Sequence, residues 1–277
     1  MLRRRGDGYQ DLRTVFARLA CHDILRLHAG APAREPRITG PFAEGVPAGE
    51  GNLVARALAE FRRAIAPDVS LPAWELEKNI PHGSGLGAGS SDAAAALLLA
   101  GRMAGEADRE RLAEAAARVG SDCAFFVRGW PAADAAGRGE VLRPLVMHPM
   151  PAVIVWPGFS MGTAEGYSSL RPEDLGARSE VEALSKWLAS PDGPPPATHN
   201  AFERNACHRH PIIAEILGEL RASGAAVAHL SGSGSACFGL YTGPDGPEEA
   251  IARMERLRDR HATAPPWWIQ HTIAGGA

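Results

Sequence analysis

The sequence predicts an α+β fold of two domains. Helical and strand periodicities mix along the chain without the strict βαβ alternation of a doubly wound sheet. Two loops rich in glycine and serine lie in separate halves, at 83–91 and 231–235. Proline- and glycine-rich joints at 31–51, at Pro149-Met150-Pro151 and at 190–196 divide the periodic segments. A length of 277 residues suits one or two domains with cores of ordinary size. We place the division near residue 150, giving an N-terminal domain of residues 1–150 and a C-terminal domain of residues 151–277.

In chain order, 14–19 and 23–28 have strand character. Positions 52–65 put Leu53, Ala57, Leu58, Phe61 and Ile65 on one helical face. Trp74 to Lys78 alternates apolar and polar residues and reads as a half-buried strand. Positions 92–103 form a nearly all-apolar helix that must be buried, and 109–119 an amphipathic one. Strands are expected at 152–156, 225–230, 237–241 and 267–273, and helices at 211–223 and 248–260. The stretch 31–51 reads as a long irregular connection. No repeat with a period of about 20–50 residues is present.

Composition removes several classes of function. A net charge of −3 and a pI near 6.4 give no electrostatic footprint for nucleic acid. Cys21, Cys123, Cys207 and Cys237 form no C-x-x-C pair, so we expect reduced thiols, no zinc site and no disulfide framework. His208-Arg209-His210 lacks a nearby carboxylate cluster and reads as a solvated loop rather than a metal site. The longest apolar run falls far short of the roughly 18 residues that span a bilayer. Met1 to Arg5 is basic, but no apolar segment follows, so a cytoplasmic protein is expected. Lysine occurs only at 78 and 186.

The chemistry concentrates in Pro81 to Asp92, PHGSGLGAGSSD, where Gly83, Gly85, Gly87 and Gly89 fall within seven residues between a strand and a helix. Glycines let the backbone approach a ligand closely, and successive N–H groups in such a loop form an anion-binding nest. The following helix adds its own free N–H groups and the positive end of its dipole. Ser90 or Ser91 can cap that helix or offer a hydroxyl to phosphate or Mg²⁺. A Walker A loop is excluded, because no glycine is followed by lysine. A Rossmann fingerprint fits Gly83, Gly85 and Ala88 poorly, because the preceding strand alternates in polarity. Leu230 to Gly239 is a second Gly/Ser loop, read either as a hairpin turn or as a second ligand loop. Two such loops in separate halves suggest a ligand cleft between domains. Asp122, in Gly120-Ser121-Asp122 before an apolar run, is either a helix cap or a general base.

Together these segments resemble the GHMP kinases. Pro81 to Ala96 matches the family's glycine-rich motif and Ser231 to Leu240 its C-terminal glycine motif. Asp7-Gly8-Tyr9, Asn52-Leu53, Gly120-Ser121-Asp122, Thr163-Ala164-Glu165, and Asn200 with Glu203 agree in order along the chain. The resemblance is strongest to the members that phosphorylate the 2-hydroxyl of a CDP-linked methylerythritol in non-mevalonate isoprenoid synthesis. It implies the two-domain GHMP fold with the active-site cleft between the domains, ATP as phosphoryl donor, and Mg²⁺ shielding the phosphates. It makes Asp122 the base. It assigns Gly83, Gly85, Leu86, Gly87, Gly89, Ser90 and Ser91 to the phosphates, and Asn52, Leu53 and Lys78 to the nucleotide. It assigns Tyr9, Gln10, Thr163, Tyr167, Gly232, Ser233 and Gly234 to the substrate, with Tyr9 and Tyr167 beside the cytosine ring.

Two departures stand out. The family carries a lysine and an asparagine on a strand before D-G-Y, and this chain begins close to D-G-Y. The alternative expectation is therefore a truncated or degenerate kinase that binds nucleotide with little turnover, or a family member acting on another alcohol such as homoserine or a mevalonate. Gln10 stands where the family usually has histidine, and glutamine can still donate and accept hydrogen bonds.

Overall fold

The computed structural model describes residues 3–4, 10–30, 35–106, 108–137, 139–174, 176, 178–261 and 266–276. Its strands are β1 (Arg3–Arg4), β2 (Gln10–Ala17), β3 (Ile24–His28), β4 (Arg37–Thr39), β5 (Ala73–Glu77), β6 (Ala132–Gly137), β7 (Val141–Leu145), β8 (Met150–Trp156), β9 (Val227–Leu230), β10 (Cys237–Leu240) and β11 (Trp268–Ala274). Its helices are α1 (Leu53–Ala64), α2 (Ala88–Ala104), α3 (Arg109–Val119), α4 (Cys123–Arg128), α5 (Thr163–Ser168), α6 (Arg178–Ala189), α7 (Glu203–Arg209), α8 (Pro211–Ala222) and α9 (Gly246–Arg260). The strands form sheets in the orders β1-β2-β6-β7, β11-β8-β10-β9 and β3-β5-β4. Pairings are antiparallel apart from β4 with β5, so the α+β class holds.

The contacts divide the chain into two compact units that interleave in sequence. One comprises 1–20, 83–86 and 131–277, and the other 21–82 and 87–130. This grouping differs from a single cut near residue 150, because residues 1–20 join the part after 150: Leu19 bridges Ala274, and the Gly275 amide donates to the Arg18 carbonyl at 2.9 Å. Pro149-Met150-Pro151, expected as a boundary, instead runs into β8, where Met150 pairs with Ala274 and Pro151 with Ile273.

In the larger unit β8 lies between β11 and β10 and is buried on both faces. Val153 and Val155 pack with Ile213, Ile216, Leu217 and Leu220 of α8 and with Met254 and Leu257 of α9. Ala152 and Ile154 face the opposite way, toward Trp187 and Leu188 of α6 and Leu240 of β10. This is the period-2 alternation of a strand serving two cores. Across the other sheet Arg13 grips Asp134 with two hydrogen bonds, of 3.1 and 2.7 Å.

The smaller unit lays α1 to α4 around the three-stranded sheet. Asn52 caps α1, its Oδ1 accepting from the Val54 amide at 2.9 Å, and Val54, Ala57, Leu58 and Phe61 form the buried stripe. α2 is interior, as its apolar sequence requires, with Ala93, Ala96 and Leu97 fully buried. The stretch 31–51 is not wholly irregular: β4 pairs with β5 in parallel there. His208 and Arg209 close α7 and His210 opens α8, so this segment is helical rather than a loop. Among the described residues no three His, Cys, Asp or Glu side chains gather where they could hold a metal ion, and no helix is long and apolar enough to cross a membrane.

Candidate active site

Gly83, Gly85 and Gly87 have φ of +67°, +86° and +70°, so every second residue of the first glycine loop is left-handed. Left-handed residues at such spacing are the kind of backbone from which an anion nest is built. Gly85 is required for a second reason. A Cβ there would lie 2.3 Å from the Ser231 carbonyl oxygen and 2.9 Å from that of Gly234.

That close approach belongs to a built contact within the larger unit. The Ser231 hydroxyl donates to the Gly85 carbonyl at 3.0 Å, and the Ala236 amide donates to the Ser84 carbonyl at 2.9 Å. The second Gly/Ser loop is therefore not a bare hairpin turn; it seats the tip of the first. Its own backbone is braced from α7 and the residues before it. Asn200 Nδ2 donates to the Leu230 and Gly232 carbonyls at 2.8 and 2.7 Å. Glu203 accepts from the Leu230 amide, His229 and Arg221 at 3.2, 2.9 and 3.0 Å. Burial works to raise the Glu203 carboxyl, but these donors outweigh it and hold it below its ordinary value. α5 adjoins the same loop: a Cβ on Gly166 would stand 3.5 Å from Ser233 Cβ, and Tyr167 meets Phe202 edge-on at 5.1 Å. Tyr167, Gly232, Ser233 and Gly234 thus share one neighbourhood. Thr163 opens α5, but its side chain and that of Gln10 lie outside the described residues, as does Tyr9.

The C-terminal end of the first loop belongs to the smaller unit. Gly87, not a serine, takes the cap position of α2, and the helix begins at Ala88, a turn earlier than expected. Ser90 and Ser91 therefore lie inside its first turn, and the Ser91 amide makes the first helical bond, to the Gly87 carbonyl, at 2.9 Å. The amides of Ala88, Gly89 and Ser90 precede that bond and point out of the helix end. Leu53, at the start of α1, comes within 3.4 Å of where a Gly89 Cβ would be, so two helix N-termini adjoin. Both dipoles favour an anion there. Asn52, expected as a nucleotide contact, is 5% exposed; its amide caps α1 and donates to the Pro47 carbonyl at 2.7 Å.

Asp122 precedes α4 in a helical conformation and makes no capping bond, so the structure sets the cap reading aside. Burial pushes its carboxyl above the ordinary value, opposed by a hydrogen bond from Ser121. A carboxylate raised in this way is a stronger proton acceptor. The neighbouring Cys123 thiol bonds Ser90 and is pushed up to about 11 by burial, so it stays protonated and unreactive.

Lys78 departs most from expectation. The resemblance puts it at the nucleotide, yet it is 2% exposed and its ammonium lies between the carboxylates of Asp23 and Asp92, at 2.8 Å from Asp92. Asp23 also accepts from the Asn79 and Ile80 amides at 2.6 and 2.9 Å. Sequence reasoning missed both acids. Asp92 had a signal, as a charge in an otherwise apolar helix; Asp23 had none. Desolvation pushes Asp92 up to about 7 against the attraction of Lys78, with repulsion from Asp23 adding to the rise. The folded chain therefore holds a proton on Asp92 between pH about 4 and about 7 that the unfolded chain has lost, so stability falls as pH rises through that window. Denaturation midpoints at pH about 5 and about 8 check this. The expected result is a smaller decline in Asp92→Asn than in wild type, and equal declines would contradict it.

Residues 52–130 match the family model for the GHMP kinases N terminal domain, and residues 208–259 that for GHMP kinases C terminal. The 4-diphosphocytidyl-2-C-methyl-D-erythritol kinase of Thermus thermophilus is 40% identical over 252 residues, covering 91% of this chain and 86% of its own. The chain belongs to this family of GHMP kinases. A second relative of the same name, from Bradyrhizobium diazoefficiens, is 34% identical over 281 residues, 96% of this kinase and 90% of its own length. A crystal structure of 4-(cytidine 5'-diphospho)-2C-methyl-D-erythritol kinase superposes with a TM-score of 0.77 at 37% identity, covering 99% of this kinase and 94% of that chain. A homoserine kinase from Cytophaga hutchinsonii shares the fold, with a TM-score of 0.68 at 18% identity. The protein is thereby a kinase, a phosphotransferase.

Proposed function

We propose that this kinase transfers the γ-phosphoryl group of ATP to the 2-hydroxyl of 4-diphosphocytidyl-2-C-methyl-D-erythritol, a step toward isoprenoid precursors. The observation that carries the reading is the identity of 34–40% to kinases of that name over at least nine-tenths of the chain. The glycine loop and the half-buried Asp122, whose side chain makes no capping bond, supply the chemistry the reading needs.

In this reading Asp122 accepts the proton of the 2-hydroxyl, and the freed oxygen attacks the γ-phosphorus. The bond from that phosphorus to the β–γ bridging oxygen breaks, its electron pair stays on that oxygen, and ADP leaves. The backbone amides at Gly83, Gly85 and Leu86, and those at Gly87, Gly89 and Ser90 at the start of α2, serve the ATP phosphates. The donor set fits a magnesium ion carried by nucleotide phosphates rather than by a cage of side chains, with the Ser91 hydroxyl, and that of Ser90 once it leaves Cys123, as the oxygens that would reach it. Such an ion would neutralise charge on the transferring group. Tyr167 and the loop Gly232-Ser233-Gly234 serve the cytidine end of the substrate, together with Tyr9, Gln10 and Thr163. Asn52, Leu53 and Lys78 act on the nucleotide through the framework around α1 and α2. The four free cysteines suit a reducing compartment, and we place the protein in the cytoplasm.

Mass spectrometry after incubation with ATP, Mg²⁺ and the CDP-linked methylerythritol tests the assignment. Addition of one phosphoryl group to that compound, with homoserine and mevalonate unmodified, is expected. Phosphorylation of homoserine or mevalonate in its place would overturn the substrate assignment.

A further inference from the structure

We infer that Asp23, Lys78 and Asp92 form a clasp that holds the two ends of the first glycine loop at a fixed separation and so sets the geometry of ATP binding. Lys78 is the residue directly after β5, on the strand leading into the loop, and Asp92 sits in α2 on the helix leading out. The ammonium joins them, and Asp23, from the segment before β3, ties both to a third element.

The backbone at Lys78 is fixed independently of its side chain. Its amide donates to Thr39 at 2.7 Å and its carbonyl accepts from Phe42 at 3.2 Å. Gly40, at φ +96°, makes that approach possible, since a Cβ there would lie 2.5 Å from the Lys78 carbonyl oxygen. Asp23 then binds the next two amides of the ascending segment, at Asn79 and Ile80. One end of the loop is thus anchored through main chain, and the lysine carries that anchor across to α2.

The loop between them needs such an anchor. Its glycines give it more conformational freedom than any other residues would. A phosphate nest works only when its amides already converge before the ligand arrives. A solvated surface ion pair would contribute little to this, but a pair with every member nearly inaccessible is rigid and fails abruptly when one partner is removed. The contacts shown for the triad are to one another and to the Asn79 and Ile80 amides, so its role is positioning.

The inference rests on reading the loop as the ATP phosphate site, and the experiment separates the two. KM for ATP and for the CDP-linked substrate, and calorimetric binding of a non-hydrolysable ATP analogue, are measured well below each variant's unfolding temperature. Asp23→Leu and Asp92→Leu are expected to raise KM for ATP by about 10- to 100-fold, with KM for the second substrate nearly unchanged. Asp92→Asn, which keeps an oxygen for the ammonium, recovers most of the loss. Lys78→Met leaves the buried Asp23 and Asp92 without their cation and can fail to fold, so the triple variant Asp23→Asn/Lys78→Met/Asp92→Asn is made as well. That triple variant carries no charge at the clasp; it is expected to fold and still to bind ATP weakly. Unchanged ATP binding in the folded triple variant, or KM values that rise together for both substrates, would overturn the clasp. Failure of the wild-type protein to bind the ATP analogue would overturn the reading of the loop itself.

Discussion

An Asp122→Asn enzyme is expected to lose about 10²- to 10⁴-fold in kcat while keeping its affinity for ATP. The substitution is nearly isosteric and removes no cap, because the Asp122 side chain makes no bond to the amides of α4. The Ser121 hydroxyl that bonds the carboxylate can bond the amide oxygen as well. What the amide cannot do is accept the proton of the attacking hydroxyl. Desolvation already disfavours the charged form of Asp122, so removing that charge also leaves the fold intact or stabilises it. Steady-state kinetics with a parallel ATP titration decide the matter. Wild-type turnover in the variant would remove Asp122 from the mechanism, and loss of ATP affinity would make it part of the nucleotide site.

The second large effect is expected at Gly85. Alanine there must take a φ of +86° and place its Cβ 2.3 Å from one backbone oxygen and 2.9 Å from another. Neither oxygen is the end of a flexible side chain that could swing away. The loop tip must leave the Ser231 and Ala236 contacts, and its amides lose their convergence. Gly85→Ala is expected to lower kcat/KM for ATP by at least about 100-fold. Gly218 in α8 is the control, since a Cβ there meets nothing within 4 Å. Gly218→Ala should leave kcat/KM unchanged and raise stability by up to about 1 kcal/mol, the helix preference of alanine over glycine. A Gly85→Ala enzyme with wild-type ATP kinetics would show that the two glycine loops need not touch.

The elements legible in the sequence were those whose burial matched a simple period. α1, α3, α8 and α9 each present one apolar stripe, and β5 and β8 alternate or run aliphatic as their burial demands. β4 was hidden because three residues, Arg37–Thr39, carry no pattern and owe their state to pairing with β5. β6 was hidden for another reason. Its sequence AADAAG has helix-forming composition, and its strand form comes from lying between β2 and β7.

The site divides similarly. The glycine loop is legible because its function is written in backbone freedom, and only glycine supplies that. Ser90 and Ser91 looked like caps because serine commonly is one, but Gly87 in the left-handed region took that place. The partnership of Lys78 with Asp23 and Asp92 could not be read, since nothing local in the sequence brings Asp23 to the end of β5. It depends on the pairing of β3 with β5, which sets Ile24 opposite Glu77 and so carries Asp23 to Lys78.

The position of the transferred phosphate tests the central claim most directly. C2 of the methylerythritol carries a methyl group and no hydrogen, so a phosphate on its oxygen has no vicinal proton. The proton-coupled phosphorus NMR spectrum of the purified product is therefore expected to show the new monoester as a singlet beside the two diphosphate resonances. A doublet or triplet for the monoester, marking transfer to the secondary or a primary hydroxyl, would contradict the account, as would ADP formation with no phosphorylated product.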